Sequence, residues 1–341
     1  MEILEATQQT DSDHTSDQTI ADTLKVGVAQ MAPVWLNRQA TLDKVASTMR
    51  LAAAEQCALV VFGEALVPGY PFWLELTGGA RFNDADQKEM HARYLLEAVD
   101  IARGDLSEIC ALAKELELAV YLGVMERPAD RGGHSLYCSL VYIDKSGDIC
   151  SVHRKLQPTY EERLAWAPGD GHGLVTHSLE PFVLGGLNCW ENWMPMARQA
   201  LYAQGSDLHV SVWPGGMHNT PDITRFIALE SRSYVLASCG VLRAADIPDD
   251  IPMREQIIDN GNQFLGNGGS TIVGPDGQML IEPVAEREVL ITATLQHAKV
   301  RQERQNFDPA GHYSRPDVLQ LRVDQRRQST VVLNAEDPNE Q

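Results

Sequence analysis

The 341-residue sequence predicts a layered α/β fold, and two observations support this class. Short apolar runs rich in β-branched residues alternate with longer stretches whose apolar residues recur at helical spacing, which is typical of buried strands connected by amphipathic helices. Hydrophobic residues make up 44% of the chain and charged residues 22%, a composition that allows a large core. No internal repeat and no linker rich in Gly, Pro or Ser divides residues 25–318, so we expect them to form one domain.

The first half of the chain alternates strands and helices. Continuous apolar runs such as KVGVAQM and ALVVF indicate buried strands, and the helix between them carries Leu42, Val45 and Met49 on one face. Asp105 and Glu108 are spaced like a capping box at the start of a second helix. The predicted elements, in order, are strand 25–31, helix 41–56, strand 58–62, helix 105–117, strand 119–125 and a hairpin within 136–155 with a Lys-Ser-Gly-Asp turn.

The second half repeats this alternation. Asn219 offers a capping side chain and Pro221 a first-turn proline for a long helix, which we expect to continue to about Ala237. Pro-Asp-Gly supplies the turn of a further hairpin. The predicted elements, in order, are strand 182–189, helix 194–204, strand 208–213, helix 221–237, hairpin 270–282, strand 288–295 and helix 296–305.

Charge and terminal composition narrow the class of protein. A formal net charge of -19 argues against nucleic acid or an anionic membrane as a partner, because both are recognised by basic surfaces. Residues 1–24 are acidic and polar, without the cationic and apolar regions of a secretory signal, and are predicted to be a disordered tail. No run of about 18 apolar residues predicts a membrane span. We therefore expect a cytoplasmic protein.

The six cysteines are scattered, with no Cys-x-x-Cys pair. Reduced thiols are the expectation in a chain of this length, and structural zinc sites generally show closer Cys or His pairs. Free cysteine is often a core residue, so packing is the ordinary role for most of them. No metal and no organic cofactor is expected.

Three strong polar residues lie at the ends of predicted strands: Glu64, Lys155 and Cys189. Sites in open α/β sheets are usually assembled at strand ends. Each residue also has an ordinary interpretation, as a surface carboxylate, a solvated lysine and a core cysteine. Apolar residues flank Glu64, however, and a desolvated carboxylate there would serve as a base near neutral pH, while a lysine near a cysteine favours the reactive thiolate. Their spacing along the chain does not show that the three meet.

The segments around these residues resemble the nitrilase family of carbon-nitrogen hydrolases, whose members carry a Glu-Lys-Cys triad. The matching segments are FGEALVPGYP around Glu64, HRKLQPTYEERLAWAPGDG around Lys155 and GLNCWENWMP around Cys189. ALYAQGSDLHVSVWP and FDPAGHYSRPDV also look like nitrilase sequence, so the likeness covers residues 25–318. Cys-Trp-Glu after the nucleophile position favours a nitrilase over the amidases and carbamoylases that share the triad.

This resemblance implies a fold, an activity and roles for four residues. The fold is a four-layer αββα sandwich, with two mixed sheets inside and helices outside. The activity is hydrolysis of a nitrile to the carboxylic acid and ammonia through a cysteine thioimidate and thioester, with Cys189 as nucleophile, Glu64 as base and Lys155 as the fixed cation. Glu162 matches a second family glutamate, although neighbouring Glu161 leaves that assignment open.

The resemblance also implies a homo-oligomer whose building block is a dimer, with extension into spirals or filaments. An extended tail, residues 319–341, follows the catalytic domain, and an oligomer interface is a candidate place for it. The pocket walls are predicted from aromatics that flank the triad segments, since an apolar cleft suits an uncharged nitrile; the alternative for each is plain core packing. These candidates are Tyr70, Trp190 and Trp213, with Phe72 and Trp73 beside the first.

The sequence leaves four other functions open. An amidase or a cyanide-degrading enzyme would use the same triad. A Cys-His hydrolase is less favoured, because none of the ten histidines shows a recognisable pairing motif. A catalytically silent, filament-forming protein is the alternative from a different class, but such a protein has no physical need for an intact Glu64, Lys155 and Cys189.

Overall fold

The apolar runs of the sequence form two mixed β-sheets. The computed structural model describes residues 1–7 and 22–331, and within them each sheet has seven strands. The first sheet has, in order across it, β1 (Glu2–Glu5), β14 (Val289–Gln296), β2 (Thr23–Gln30), β3 (Leu59–Phe62), β4 (Ala119–Glu126), β5 (Tyr137–Ile143) and β6 (Ile149–Arg154). The second has β11 (Val241–Arg243), β12 (Phe264–Val273), β10 (Tyr234–Cys239), β9 (Leu208–Trp213), β8 (Phe182–Asn188) and β7 (His177–Leu179), and β13 (Met279–Ala285) pairs with β12.

The central strands of both sheets are parallel and covered on both faces. β2, β3 and β4 run parallel in the first sheet, as do β8, β9 and β10 in the second. Side chains alternate between faces: Leu59 and Val61 pack against the other sheet, whereas Val60 and Phe62 pack under the helices. This two-sided burial explains why the strands read as continuous apolar runs rather than as alternating ones.

The residues that the structure describes form eight α-helices. They are α1 (Arg38–Ala54), α2 (Trp73–Leu76), α3 (Ala85–Glu97), α4 (Ser107–Glu115), α5 (Pro195–Tyr202), α6 (Pro221–Ser231), α7 (Arg254–Asn260) and α8 (His297–Arg304). α1 and α4 pack on the first sheet, and α5 and α6 on the second. The predicted αββα sandwich is therefore confirmed. Within the described ranges, none of the helices has the length and apolar character needed to cross a membrane.

Three local predictions about helices were wrong. The capping side chain expected at the start of α6 is absent, because the helix begins after Thr220 with no side-chain hydrogen bond to its first turn. The carboxylate of Asp105 accepts from the backbone N–H of Asp100 instead of capping α4, which begins after Leu106 with no side-chain cap. The helix expected to reach Ala237 ends at Ser231, because Arg232 adopts a left-handed φ of 52° and the next apolar run is strand β10. A short buried apolar run is compatible with either helix or strand, so periodicity alone did not separate them.

The amino-terminal prediction also needs correction. Residues Glu2–Glu5 form β1, which pairs in parallel with Val289 and the following residues of β14. The edge of a sheet offers unpaired backbone groups that bind a further strand whatever its side chains, so acidic composition did not prevent this pairing. The predicted disorder is wrong for this segment, and residues 8–21 lie outside the described residues.

After α8 the described chain has no helix or strand in residues 305–331. Residues 324–328, which we call the C-terminal strap, lie against β6 and the loop that follows it. Arg327 forms an ion pair of 3.0 Å with Asp170 and donates to the carbonyl of Val152 at 2.9 Å. The strap thus contacts the chain on both sides of Lys155. Residues 332–341 are outside the described part.

Candidate active site

Glu64, Lys155 and Cys189 follow β3, β6 and β8, and the fold brings these three strand ends together. The backbone N–H of Glu64 donates to the carbonyl of Trp213 at 3.2 Å, which joins the end of β3 in the first sheet to the end of β9 in the second. Gly123 on β4 allows this path, because a Cβ there would lie 2.1 Å from the carbonyl oxygen of Gly63 and 2.8 Å from the Cα of Glu64.

The ammonium of Lys155 lies between two buried carboxylates. Its Nζ is 2.9 Å from Glu64 Oε1 and 2.7 Å from Glu162 Oε2. Lys155 is 1% exposed, and both glutamates are 2% exposed. Glu161 is only partly buried, so Glu162 is the glutamate of this pair that faces the site. The sequence alone could not separate the two.

Glu162 is fixed by donors other than the lysine. It lies in a 3₁₀ turn, Tyr160–Leu164, where it accepts from the backbone N–H of Thr159 at 2.6 Å in a capping box. Its second oxygen, Oε1, accepts from the hydroxyl of Tyr70 at 2.7 Å. Three hydrogen bonds to one carboxylate leave it little freedom to rotate, so Glu162 holds the Lys155 ammonium in place.

Cys189 lies at a sharp turn after β8. It opens the 3₁₀ turn Cys189–Trp193 with a φ of 46°, and its carbonyl accepts from the side-chain amide of Asn192 at 2.9 Å. A non-glycine residue at positive φ is strained and persists where the surrounding structure fixes it. One side-chain atom each of Cys189, Glu64 and Glu162 lies within 4.8 Å of the others. The thiol is thus within reach of both carboxylates.

Burial and charge shift the proton affinities of these groups. Burial raises the pKa of Glu64 to about 7, with Lys155 opposing this rise and Glu162 adding to it. Burial also raises the pKa of the Cys189 thiol well above its usual value, as does the charge of Glu64, whereas Lys155 lowers it. For Lys155 burial acts to lower the pKa, but the electrostatic interactions with Cys189, Glu64 and Glu162 outweigh it, and the pKa lies well above its usual value. The resting site therefore holds an ammonium and a protonated thiol, beside a carboxylate that titrates near neutral pH.

The residue types at this site do not fit a metal cofactor. The thiol and the two carboxylates are close enough to one another to share an ion. However, the Lys155 ammonium is already within hydrogen-bonding distance of both carboxylates, and it supplies the positive charge that a metal would bring.

The predicted pocket aromatics fall into two groups. Tyr70 contacts Glu162, and Trp213 is 2% exposed and packs in the same apolar cluster as Cys189. The ring of Trp190 is 45% exposed and stacks on Trp193, so the prediction of a pocket wall is not supported for that side chain. The backbone N–H of Trp190 hydrogen-bonds to the thiol and thereby lowers the pKa of Cys189.

A second buried thiol at the site was not predicted. Cys138 donates from Sγ to Glu64 Oε1 at 3.4 Å, and its carbonyl accepts from the backbone N–H of Lys155 at 2.8 Å. The β5–β6 hairpin was predicted, and its register places Cys138 beside Lys155. Extending that pairing by one residue past Arg154 would have identified Cys138.

Known proteins share both the sequence and the fold. The family model for carbon-nitrogen hydrolases matches residues 25–305. A protein named Nitrilase 2, from an unknown prokaryotic organism, is 35% identical over 90% of this chain and 95% of its own length. An aliphatic nitrilase of Sinorhizobium fredii is 34% identical over 91% of this chain and 99% of its own.

Among solved structures, a carbon-nitrogen hydrolase from Helicobacter pylori G27 superimposes with a TM-score of 0.65 and 20% identity, covering 86% of this chain and 96% of its own. That likeness supports the fold, and the sequence matches support the family. The resemblance predicted from the triad segments is thereby confirmed: the chain belongs to the carbon-nitrogen hydrolase family.

Proposed function

We propose that this protein is a nitrilase, which hydrolyses an organic nitrile to the carboxylic acid and ammonia. The observation that carries the proposal is a buried thiol within reach of two carboxylates that share one ammonium. The two relatives described above, each named a nitrilase, support it because they match about nine-tenths of the chain. In this proposal Cys189 is the nucleophile, Glu64 the base, Lys155 the fixed cation and Glu162 the residue that orients it.

The first step is addition of sulfur to the nitrile carbon. A nitrile carbon is a weak electrophile, and a thiolate is a stronger nucleophile than a hydroxyl. Glu64 takes the thiol proton as the C–S bond forms, and a proton reaches the nitrile nitrogen to give the thioimidate. Moving the proton from Cys189 to Glu64 leaves the net charge of the pocket unchanged, which matters in a site where burial already raises the pKa of both groups.

Two waters complete the reaction. Glu64 accepts a proton from the first water, which adds to the thioimidate carbon; ammonia leaves and a thioester remains. A second water, activated in the same way, breaks the C–S bond and releases the carboxylic acid. One nitrile and two water molecules thereby give one carboxylic acid and one ammonia.

Lys155 stabilises the negative charge that develops at each addition. A preorganised donor of this kind is worth about 3 to 4 kcal/mol in other acyl-transfer enzymes. The backbone N–H of Trp190, which adjoins the thiol, would act with it. Glu162 and the hydroxyl of Tyr70 keep the ammonium directed at the reacting carbon.

The proposal includes an oligomer and a compartment. Apolar side chains are exposed on α5, α6 and the turn before them, among them Met196 at 72% and Phe226 at 50%. Large exposed apolar patches mark association surfaces, so we assign this face to the dimer, and the exposed segment after residue 318 to contacts that extend dimers into spirals or filaments. A thiolate nucleophile needs a reduced cysteine, which the cytoplasm maintains.

A panel of aliphatic, aromatic and arylaceto nitriles, assayed beside the matching amides and cyanide, tests the activity. Ammonia and acid released from nitriles, and lost in Cys189→Ala, are the expected results. Turnover of amides alone would replace the proposal with an amidase, and turnover of cyanide alone with a cyanide-degrading enzyme. Wild-type protein that forms filaments but turns over nothing would favour the silent assembly protein.

Light scattering tests the assembly. Phe226→Glu is expected to lower the molar mass to that of one chain, because it places a charge in the proposed dimer interface. An unchanged molar mass would reject the α5–α6 face as that interface.

A further inference from the structure

We propose that Glu191 is a positioning residue, which sets the place of the Cys189 nucleophile relative to the Lys155 ammonium; the proposal rests on the function assigned above to that pair. Glu191 is the third residue of the Cys-Trp-Glu segment, is 1% exposed, and has no part in the reaction steps. A buried carboxylate needs partners to stay ionised. Its partners come from both sides of the active site.

The carboxylate of Glu191 binds the chain around the lysine with one oxygen and the chain before the cysteine with the other. Oε1 accepts from the backbone N–H of Leu156 at 2.6 Å, and Oε2 accepts from the backbone N–H of Asn188 at 2.9 Å. The Nε2 of His153, which is 2% exposed, donates to both oxygens at 3.1 and 3.0 Å. Leu156 follows Lys155 directly, and Asn188 directly precedes Cys189.

These hydrogen bonds fix the distance between Lys155 and Cys189, which apolar packing alone would not determine. Lys155 follows β6 of the first sheet and Cys189 follows β8 of the second, and most of the contact between the two sheets is apolar packing. The hydrogen bond from Glu64 to Trp213 joins β3 to β9 and does not link the ends of β6 and β8. Hydrophobic contact is not directional, whereas hydrogen bonds to a charged group are short and directional. Burial acts to raise the pKa of Glu191, but His153 and the two backbone donors outweigh it, so its pKa is lowered and the charge persists.

Glu191→Gln tests the proposal. A glutamine has a single carbonyl oxygen, so its NH₂ group must face one of the two backbone N–H donors, and the two chain segments should separate. We expect kcat on a nitrile to fall about 100-fold, the cost of a displacement of about 1 Å at a reacting centre. KM should change less than about threefold, because Glu191 is buried behind the reacting groups and the loss falls on the chemical step rather than on binding.

Alkylation of Cys189 by iodoacetamide gives a second readout that needs no nitrile. Lys155 lowers the pKa of this thiol, so its separation from the sulfur should move the alkylation profile to higher pH. A shift of one pH unit would make alkylation at pH 7 about tenfold slower. Cys189→Ala supplies the background from the other cysteines. If the wild type hydrolyses no nitrile, the proposed function fails, and the alkylation comparison still tests Glu191.

Asp207→Asn is the matched control. Asp207 also accepts from a backbone N–H, that of Val183, and from a histidine, His297, each at 2.8 Å, but at the opposite ends of β8 and β9. This variant should lose thermal stability while kcat and the alkylation profile stay at wild-type values.

If Glu191→Gln does not accumulate as folded protein, His153→Asn takes its place. This variant keeps the Glu191 carboxylate and weakens its hydrogen bonding to residue 153. The kcat should fall about tenfold, as expected for one hydrogen bond to a charged group. A folded variant at either position that keeps kcat within about twofold of wild type and an unshifted alkylation profile would overturn the proposal and leave Glu191 a purely structural residue.

Discussion

Replacing Lys155 by methionine should destabilise the fold more at high pH than at neutral pH. The substitution keeps the aliphatic chain and removes the ammonium that is 2.9 Å from Glu64 and 2.7 Å from Glu162. Breaking a buried ion pair by removing one partner costs about 3 to 5 kcal/mol, because a buried charge is left without compensation. The carboxyl groups can escape that cost only by taking up a proton.

The pH dependence of this destabilisation follows from the direction in which the pKa of Glu64 changes. Lys155 opposes the rise in the pKa of Glu64 more than any other group, so the pKa in the variant should exceed the wild-type value of about 7. A carboxyl group whose pKa is raised in the folded state loses its stabilising contribution as the pH rises through the folded value. While the pH stays below that raised pKa, the folded variant binds up to one more proton than the unfolded chain, and its free energy of unfolding falls by up to about 1.4 kcal/mol per pH unit. The loss from pH 7 to 8.5 is therefore at most about 2 kcal/mol.

Urea unfolding followed by tryptophan fluorescence at these two pH values measures the deficit relative to wild type. Lys145→Met, at an exposed position in the β5–β6 turn, should show no deficit at either pH. Ammonia release should fall at least about 100-fold, since the fixed cation is gone and Glu64 stays protonated. A Lys155→Met deficit that is equal at both pH values would refute the reasoning, because the two carboxylates would then not depend on the ammonium.

Three further outcomes are expected. The kcat/KM for a nitrile should rise with pH to a plateau above about 7, since Glu64 must lose its proton to act as base. A pH–rate profile checks this. A rise whose midpoint lies below about pH 5.5 would exclude Glu64 as the base. Tyr70→Phe should lower the free energy of unfolding by about 2 kcal/mol and reduce kcat, because Glu162 loses a charge-assisted hydrogen bond; urea titration and ammonia assays measure both. Gly123→Ala should lower the free energy of unfolding by about 1 to 3 kcal/mol and remove most activity, since its Cβ would lie 2.1 Å from a backbone oxygen beside Glu64. The control Gly216→Ala, whose Cβ would have its nearest atom at 3.7 Å, should match wild type in thermal melts and turnover.

Much of the fold was predictable because its central strands are buried on both faces. Residues 59–62 are apolar throughout, and only His209 and Ser211 interrupt the apolar run of residues 208–213, so both strands follow from composition. Helix α3 was not predicted, because most of its residues are polar and exposed. Met90 and Tyr94 are among the few that reach the core, too few to give a clear helical period. β10 was assigned to the preceding helix because an apolar run carries no period of its own.

The site was predictable only in part. Strand ends and apolar flanks singled out Glu64, Lys155 and Cys189, but the segments are far apart in sequence, and their meeting was an expectation from family resemblance. The contacts that hold the site depend on loop paths, which follow from tertiary packing. The hydrogen bond from Tyr70 to Glu162 crosses between a loop and a 3₁₀ turn that no sequence period indicates.

The C-terminal strap has a practical consequence for handling the protein. Arg327 is the ion-pair partner of Asp170, whose side chain is 3% exposed and lies on the loop after Lys155. Proteolytic clipping ahead of residue 324 would leave that carboxylate without its counterion while the two sheets stay whole. An ageing preparation would then lose specific activity with no visible precipitation, so intact-mass spectrometry should accompany each kinetic measurement, and an affinity tag is better fused at the other end.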